Sequence, residues 1–173
     1  MLRKSFYGVL TASLLVVGAQ SAQAQLLPSL HFNVNAGAAM PMSDAGDVWN
    51  AGYRVGAGVE FRAPVLPVGL RIDGAYDRMG LKLDASSKLS ILSGTANAVF
   101  TLPLMPIYAV GGIGMYRSDA GAGSTTTDFG FNAGLGLRLP LPMLSPFVEA
   151  RFNQINGDGG NFRYVPIVAG IRF

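Results

Sequence analysis

Cysteine is absent from the 173 residues. That excludes a disulfide framework, a thiolate metal site and a cysteine nucleophile. Charge is scarce: 13% of residues are Asp, Glu, Lys or Arg, against about a quarter in ordinary soluble domains. The dense mixed charge that keeps a soluble surface apart from its neighbours cannot be drawn from so few residues. The net charge is +3, and Arg3 and Lys4 at the extreme N-terminus carry two of those charges. No basic footprint for nucleic acid remains. His31 is the only histidine, which narrows any acid–base chemistry. Long apolar runs are also missing. After residue 24 none approaches the roughly 20 residues of a spanning helix.

What the chain has is apolar residues in half of its positions, 23 glycines and a strong alternation. The length fits one domain. Residues 1–24 read as a secretory signal: Arg3 and Lys4, a short apolar run over 6–18, and Ser21-Ala22-Gln23-Ala24 as small residues at the cut. The expected division is a signal peptide, 1–24, and a single β domain, 25–173.

Eight segments alternate with period two or are strand-like by composition. They are 31–42, 49–61, 68–77, 89–102, 107–116, 128–139, 147–155 and 163–173. The second is the cleanest. Trp49, Ala51, Tyr53, Val55, Ala57, Val59 and Phe61 share one face, and Asn50, Gly52, Arg54, Gly56, Gly58 and Glu60 share the other. The fifth is apolar on both faces, so its facing stays open. In the last, Val165, Ile167, Ala169, Ile171 and Phe173 oppose Tyr164, Pro166, Val168, Gly170 and Arg172. An aromatic ending suits a strand that closes a barrel at a membrane interface.

The connections alternate in kind. Those over 63–67, 103–106 and 140–145 are short, apolar and proline-bearing. Those over 41–48, 78–88, 117–127 and 156–161 are polar. Strict alternation puts all the proline turns at one end and all the polar loops at the other, as in an outer-membrane barrel.

The polar strand faces decide what surrounds the barrel. They hold Gly, Asn, Ser and a few charges, which suits a narrow interior rather than a wetted surface. The expected fold is therefore all-β, an eight-stranded antiparallel up-and-down transmembrane β-barrel. The inward charges are Arg54, Glu60, Arg71, Asp73, Asp77, Arg138, Glu149, Arg151 and Arg172. Charges withdrawn from water must pair, so a polar network filling the lumen is expected. A narrow path for water, ions or small solutes is the alternative. A soluble periplasmic ligand-binding barrel, with the aromatic faces lining a cavity, is a further one. The aromatics Trp49, Tyr53, Phe61, Tyr76, Phe100, Tyr108, Tyr116, Phe129 and Phe173 fall mostly near strand ends, where interfacial girdles form.

Together the A-x-A leader, the eight strands, the short turns, the longer loops and the terminal Phe resemble the OmpA/OmpX-like outer-membrane barrels. The Pro-Ile-Tyr-Ala-Val-Gly-Gly-Ile-Gly-Met-Tyr stretch over 106–116 is similar to a Gly-rich strand of that superfamily. The resemblance implies a non-enzymatic, porin-like or structural protein in the outer membrane of a Gram-negative-type (diderm) bacterium. It implies contact with outer-membrane lipid and lipopolysaccharide, and delivery by periplasmic chaperones to the outer-membrane assembly machinery. It implies a monomer with no nucleic-acid partner and no cofactor. Ala169, Ile171 and Phe173 match the alternating ending that the machinery reads, although Pro166 and Val168 depart from the family's pattern further in. The peptidoglycan-binding domain of OmpA is not carried over.

No catalytic constellation emerges. His31 opens the first strand, while Ser86, Ser87, Ser118 and the hydroxyls of 124–127 belong to loops at the far end. Roughly ten residues of strand, about 30 Å, separate them. The loop acids Asp44, Asp47, Asp84, Asp119 and Asp158 are singly spaced, unlike a calcium loop. Asn156-Gly157-Asp158-Gly159-Gly160 is a turn signal.

Overall fold

The computed structural model describes residues 28–63, 66–83, 87–121, 125–141, 143–157 and 160–173. The expected leader, 1–24, lies outside them, as do Asp84, Ser86 and Asp158. The described residues form β1 (Ser29–Pro41), α1 (Asp44–Val48), β2 (Gly52–Arg62), β3 (Val68–Gly80), β4 (Lys88–Thr101), β5 (Ile107–Asp119), β6 (Thr125–Arg138), β7 (Ser145–Gly157) and β8 (Gly160–Arg172). Each strand pairs antiparallel with the next, and β8 returns to β1, so the sheet closes as an eight-stranded up-and-down barrel. Closure leaves no exposed edge.

The join between β1 and β8 runs from Pro41↔Tyr164 to Asn33↔Arg172. Beyond it, Phe32 and Phe173 exchange backbone hydrogen bonds of 2.8 and 2.9 Å, and their rings stack with centroids 6.2 Å apart. The β7–β8 ladder is interrupted between Ala150↔Ile167 and Asn153↔Tyr164 without a change of register. Pro166 lies in this gap and has no N–H to give.

Several strands extend beyond the segments that alternate in sequence. β5 reaches Asp119 and β6 begins at Thr125, so the loop expected over 117–127 is mostly paired backbone. Alternation reports what each side chain touches, whereas the ladder needs only peptide groups. Over 41–48 the expected polar loop contains the five-residue helix α1.

Burial alternates strictly in β3 and β4, where every second residue is buried. The outward set is apolar, with Val34, Val55, Leu70, Ile72, Leu92, Ile113, Phe129, Leu135, Val148 and Ile167 among its exposed members. The inward set carries Asn33, Arg54, Glu60, Arg71, Asp73, Asp77, Asn97, Glu149, Arg151 and Asn153, all buried. The apolar strand faces thus look mainly outward rather than into the lumen. This is the reverse of the soluble ligand-binding alternative.

The fifth strand, ambiguous in sequence, is settled by the sheet. Tyr108, Val110 and Tyr116 are buried, while Ile113 and Met115 are exposed. Three expected girdle aromatics are therefore misplaced by the sequence reading. Tyr108 and Tyr116 point inward, and Trp49 packs against a buried apolar cluster inside the barrel. For Trp49 the reason is local: α1 precedes it and β2 starts only at Gly52, so the strand's alternation does not reach back to it. Tyr53 and Tyr76 do lie on the outer wall, with ring centroids 6.4 Å apart.

Candidate functional site

Among the described residues, charged and hydrogen-bonding side chains converge in the lumen, which divides into layers along the barrel axis. At the turn end, Glu60 on β2 is the hub. Arg62 reaches its Oε1 at 2.8 Å and also donates to the Thr101 hydroxyl at 2.8 Å. Arg138 on β6 donates to Oε2 at 3.0 Å, and Arg172 on β8 approaches Oε1 at 3.5 Å. The Arg138 guanidinium also lies over the Tyr108 ring, 4.6 Å from its centroid, in cation–π geometry.

The middle layer holds two arginines and two carboxylates. Arg71 donates to Asp73 at 2.9 Å and to Glu149 at 2.7 Å. Arg151 pairs with the same two, at 3.2 Å to Asp73 and in closer contact with Glu149. Asn97 donates to Asp73 at 2.9 Å, and the Tyr108 hydroxyl donates to Glu149 at 2.8 Å. Each charge has partners of opposite sign, and the carboxylates accept further neutral bonds, as buried ion pairs require.

Above this, Arg54 holds both oxygens of Asp77, at 3.1 and 2.9 Å. Tyr164 donates to the same carboxylate at 3.2 Å. A gap of about 10 Å³ lies between Asn35, Arg54, Asp73, Glu149 and Arg151, which is about the space of one water. Towards the loop end the lining becomes apolar. Ala39, Met79, Leu89, Ile91, Tyr116, Ile155 and Tyr164 form one buried cluster, with Trp49 and Phe162 packed on it. A recess of about 320 Å³ opens above, bordered by Trp49, Ser118, Asp128 and Phe162.

Two glycines make room for the inward tyrosines. Tyr108 and Gly136 are cross-strand partners. A Cβ on Gly136 would meet Tyr108 Cζ at 2.2 Å, so the ring lies over the glycine and its hydroxyl reaches Glu149 on the strand beyond. A Cβ on Gly130 would meet the Tyr116 ring at 2.8 Å, and Tyr116 reaches Asn153 at 3.2 Å. Gly136 and Gly130 are thus floors on which the two tyrosine rings lie.

All nine charges expected inside lie on the inner face, and every one is within 3.5 Å of an opposite charge. Arg62 was missed. It continues the parity of Arg54 and Glu60 by one step, and that extension was the available signal. Tyr108 and Tyr164 were missed as network members because a tyrosine in an apolar strand reads equally as wall or lumen. His31 faces the strand position of Glu60, and its Nδ1 is buried without a hydrogen-bond partner. Among the described residues no group of three or more metal-ligating side chains occurs.

No family model and no curated protein matches this sequence. Solved structures do resemble it in fold. The crystal structure of neisserial surface protein A, NspA, superposes with a TM-score of 0.64 at 19% identity, over 84% of this chain and 97% of NspA. The outer membrane protein Ail of Yersinia pestis, in phospholipid bilayer nanodisc, superposes with a TM-score of 0.58 at 17% identity, over 84% of this chain and all of Ail. The eight-stranded closed barrel is thus an architecture that this chain shares with outer-membrane proteins of small size.

Proposed function

We propose that this protein is a non-enzymatic barrel of the bacterial outer membrane, with a structural or surface-interaction role and a lumen closed by its own side chains. The observation that carries this reading is the inverted wall: apolar side chains face outward around the whole barrel, and the charges face inward and are paired. Such a wall is at its lowest free energy against lipid. The likeness in fold to NspA and Ail supports the same placement, and the resemblance to OmpA/OmpX-like barrels fits within it. In this reading the wall contacts outer-membrane lipid and lipopolysaccharide, and the protein is a monomer exported by the 1–24 signal.

The ion pairs and the apolar cluster above them support a closed lumen. His31 sits at the turn end and the hydroxyl of Ser118, near the far end of β5, at the other, which argues against a His–Ser hydrolase. Two measurements test the reading. The outer-membrane fraction should hold a band that migrates differently before and after boiling in SDS. The purified barrel in a planar bilayer should show no conductance above background. Recovery from the soluble periplasm would overturn the placement, and discrete channel openings would replace the closed lumen with a pore. Ala169, Ile171 and Phe173 form the assembly ending in this proposal. Phe173→Gln should lower the yield of heat-shifting barrel, and unchanged yield would remove that role.

A further inference from the structure

The charges of the lumen do not cancel layer by layer. Arg71 and Arg151 balance Asp73 and Glu149, and Arg54 balances Asp77. At the turn end, however, Arg62, Arg138 and Arg172 share the single carboxylate of Glu60, an excess of two positive charges among these four side chains. Among the described residues, no other Asp or Glu side chain is ion-paired with these three arginines. The connections over 63–67, 102–106 and 139–144 contain no Asp or Glu.

The arrangement is also directional. Glu60 is 1% exposed, whereas Arg62, Arg138 and Arg172 side chains are 22%, 11% and 13% exposed. The three guanidiniums therefore stand between the carboxylate and the water at the mouth. Two of them have donors to spare. Arg138 Nε and Arg172 Nε are buried with no hydrogen-bond partner, and Arg172 reaches the Glu60 carboxylate at no less than 3.5 Å. Unpaired buried donors and uncancelled charge are both costly. An anion at the mouth offsets the uncancelled charge, and a small turn of either guanidinium brings its Nε–H onto it.

We propose that the turn-end mouth of the lumen is an oxyanion-binding site, taking a phosphate- or sulfate-type group among Arg62, Arg138 and Arg172. A dianion neutralises the excess charge. Its oxygens accept from the planar guanidinium forks, a geometry that arginine matches better than lysine. Glu60 lies behind the arginines and holds them together rather than meeting the ligand. The group comes from free ions in the water at that mouth or from a phospholipid headgroup folded over the rim. The inference stands apart from the closed lumen, since a conducting barrel would present the same mouth.

The test is an NMR titration of the arginine Nε–H signals of the full chain, folded in an uncharged maltoside micelle. Inorganic phosphate is added at constant ionic strength, made up with chloride. Saturable shifts are expected at Arg138 and Arg172, with Arg54 and Arg71 unmoved. Arg172→Gln should weaken the apparent affinity by about tenfold or more, the scale of one charge-assisted hydrogen bond. Should that variant fail to fold, Arg62→Gln is read in its place. Nanodiscs of anionic phospholipid then separate the sources. Signals already displaced there and insensitive to phosphate identify the headgroup, and signals that still titrate identify the free ion. Uniform movement of all arginines, no saturation in maltoside, or a variant that titrates like the parent would overturn the site.

Discussion

The turn-end half of the lumen is filled by guanidiniums and carboxylates, the loop-end half by Met79, Leu89, Ile91, Tyr116 and Ile155. Both halves fill a space of the same width, fixed by eight strands, but with opposite chemistry. The contrast shows two ways of closing a narrow barrel. Apolar filling gains from burial and loses gradually when an atom is removed. Ionic filling gains little overall, because desolvation offsets attraction, yet it loses steeply when one partner is removed. The ionic half should therefore specify the arrangement of strands, since a slipped register would leave charges unpaired. The apolar half should contribute more of the net stability.

The largest break in that comparison should come from Glu149→Ala. Glu149 accepts from Arg71, Arg151 and Tyr108, and its loss leaves two buried arginines facing Asp73 alone. The expected cost is about 3–5 kcal/mol, read from urea unfolding in lipid vesicles. A cost near that of an apolar truncation would erase the distinction. Met79→Ala, in the other half, should cost roughly 2–3 kcal/mol by leaving a cavity. Its midpoint should fall without any new conductance.

Gly136→Ala comes next, at about 1–3 kcal/mol for overpacking, because Tyr108 must leave the glycine floor and surrender its bond to Glu149. Adding Tyr108→Leu should recover part of that loss, and no recovery would sever the link between ring and glycine. The smallest effect sharpens the boundary between the halves. The combined replacement Arg54→Met, Asp77→Leu and Tyr164→Phe removes every member of the border pair together. Stability should stay within about 1 kcal/mol of the parent, since replacing a whole buried pair by apolar residues is often neutral. Asp77→Leu alone should instead be strongly destabilising.

The strand count and the inward parity of Arg54, Glu60, Arg71 and Asp73 were legible because the alternation of apolar and polar residues maps directly onto the two faces of a pleat. Arg62 was lost only by ending that parity one step early. Tyr108, Tyr116 and Trp49 were misread for a different reason. A large amphipathic ring fits a lipid interface, a lumen or a core equally well, and its neighbours in sequence do not distinguish these. The apolar loop-end half was missed on a similar ground: Met79 lies past the alternating segment 68–77, and Leu89 and Ile155, at the ends of theirs, read equally as wall or lumen.

The sequence by itself determined the architecture: eight amphipathic strands, their order, and which face carries charge. These follow from local periodicity and from a composition too poor in charge to cover a surface. Only the tertiary structure decided which charge meets which. Arg71 and Glu149, or Glu60 and Arg138, are each 78 residues apart and meet because the barrel closes. The same closure brings three arginines onto one glutamate at the turn end. That imbalance depends on the register and curvature of the whole sheet, and no local pattern encodes it.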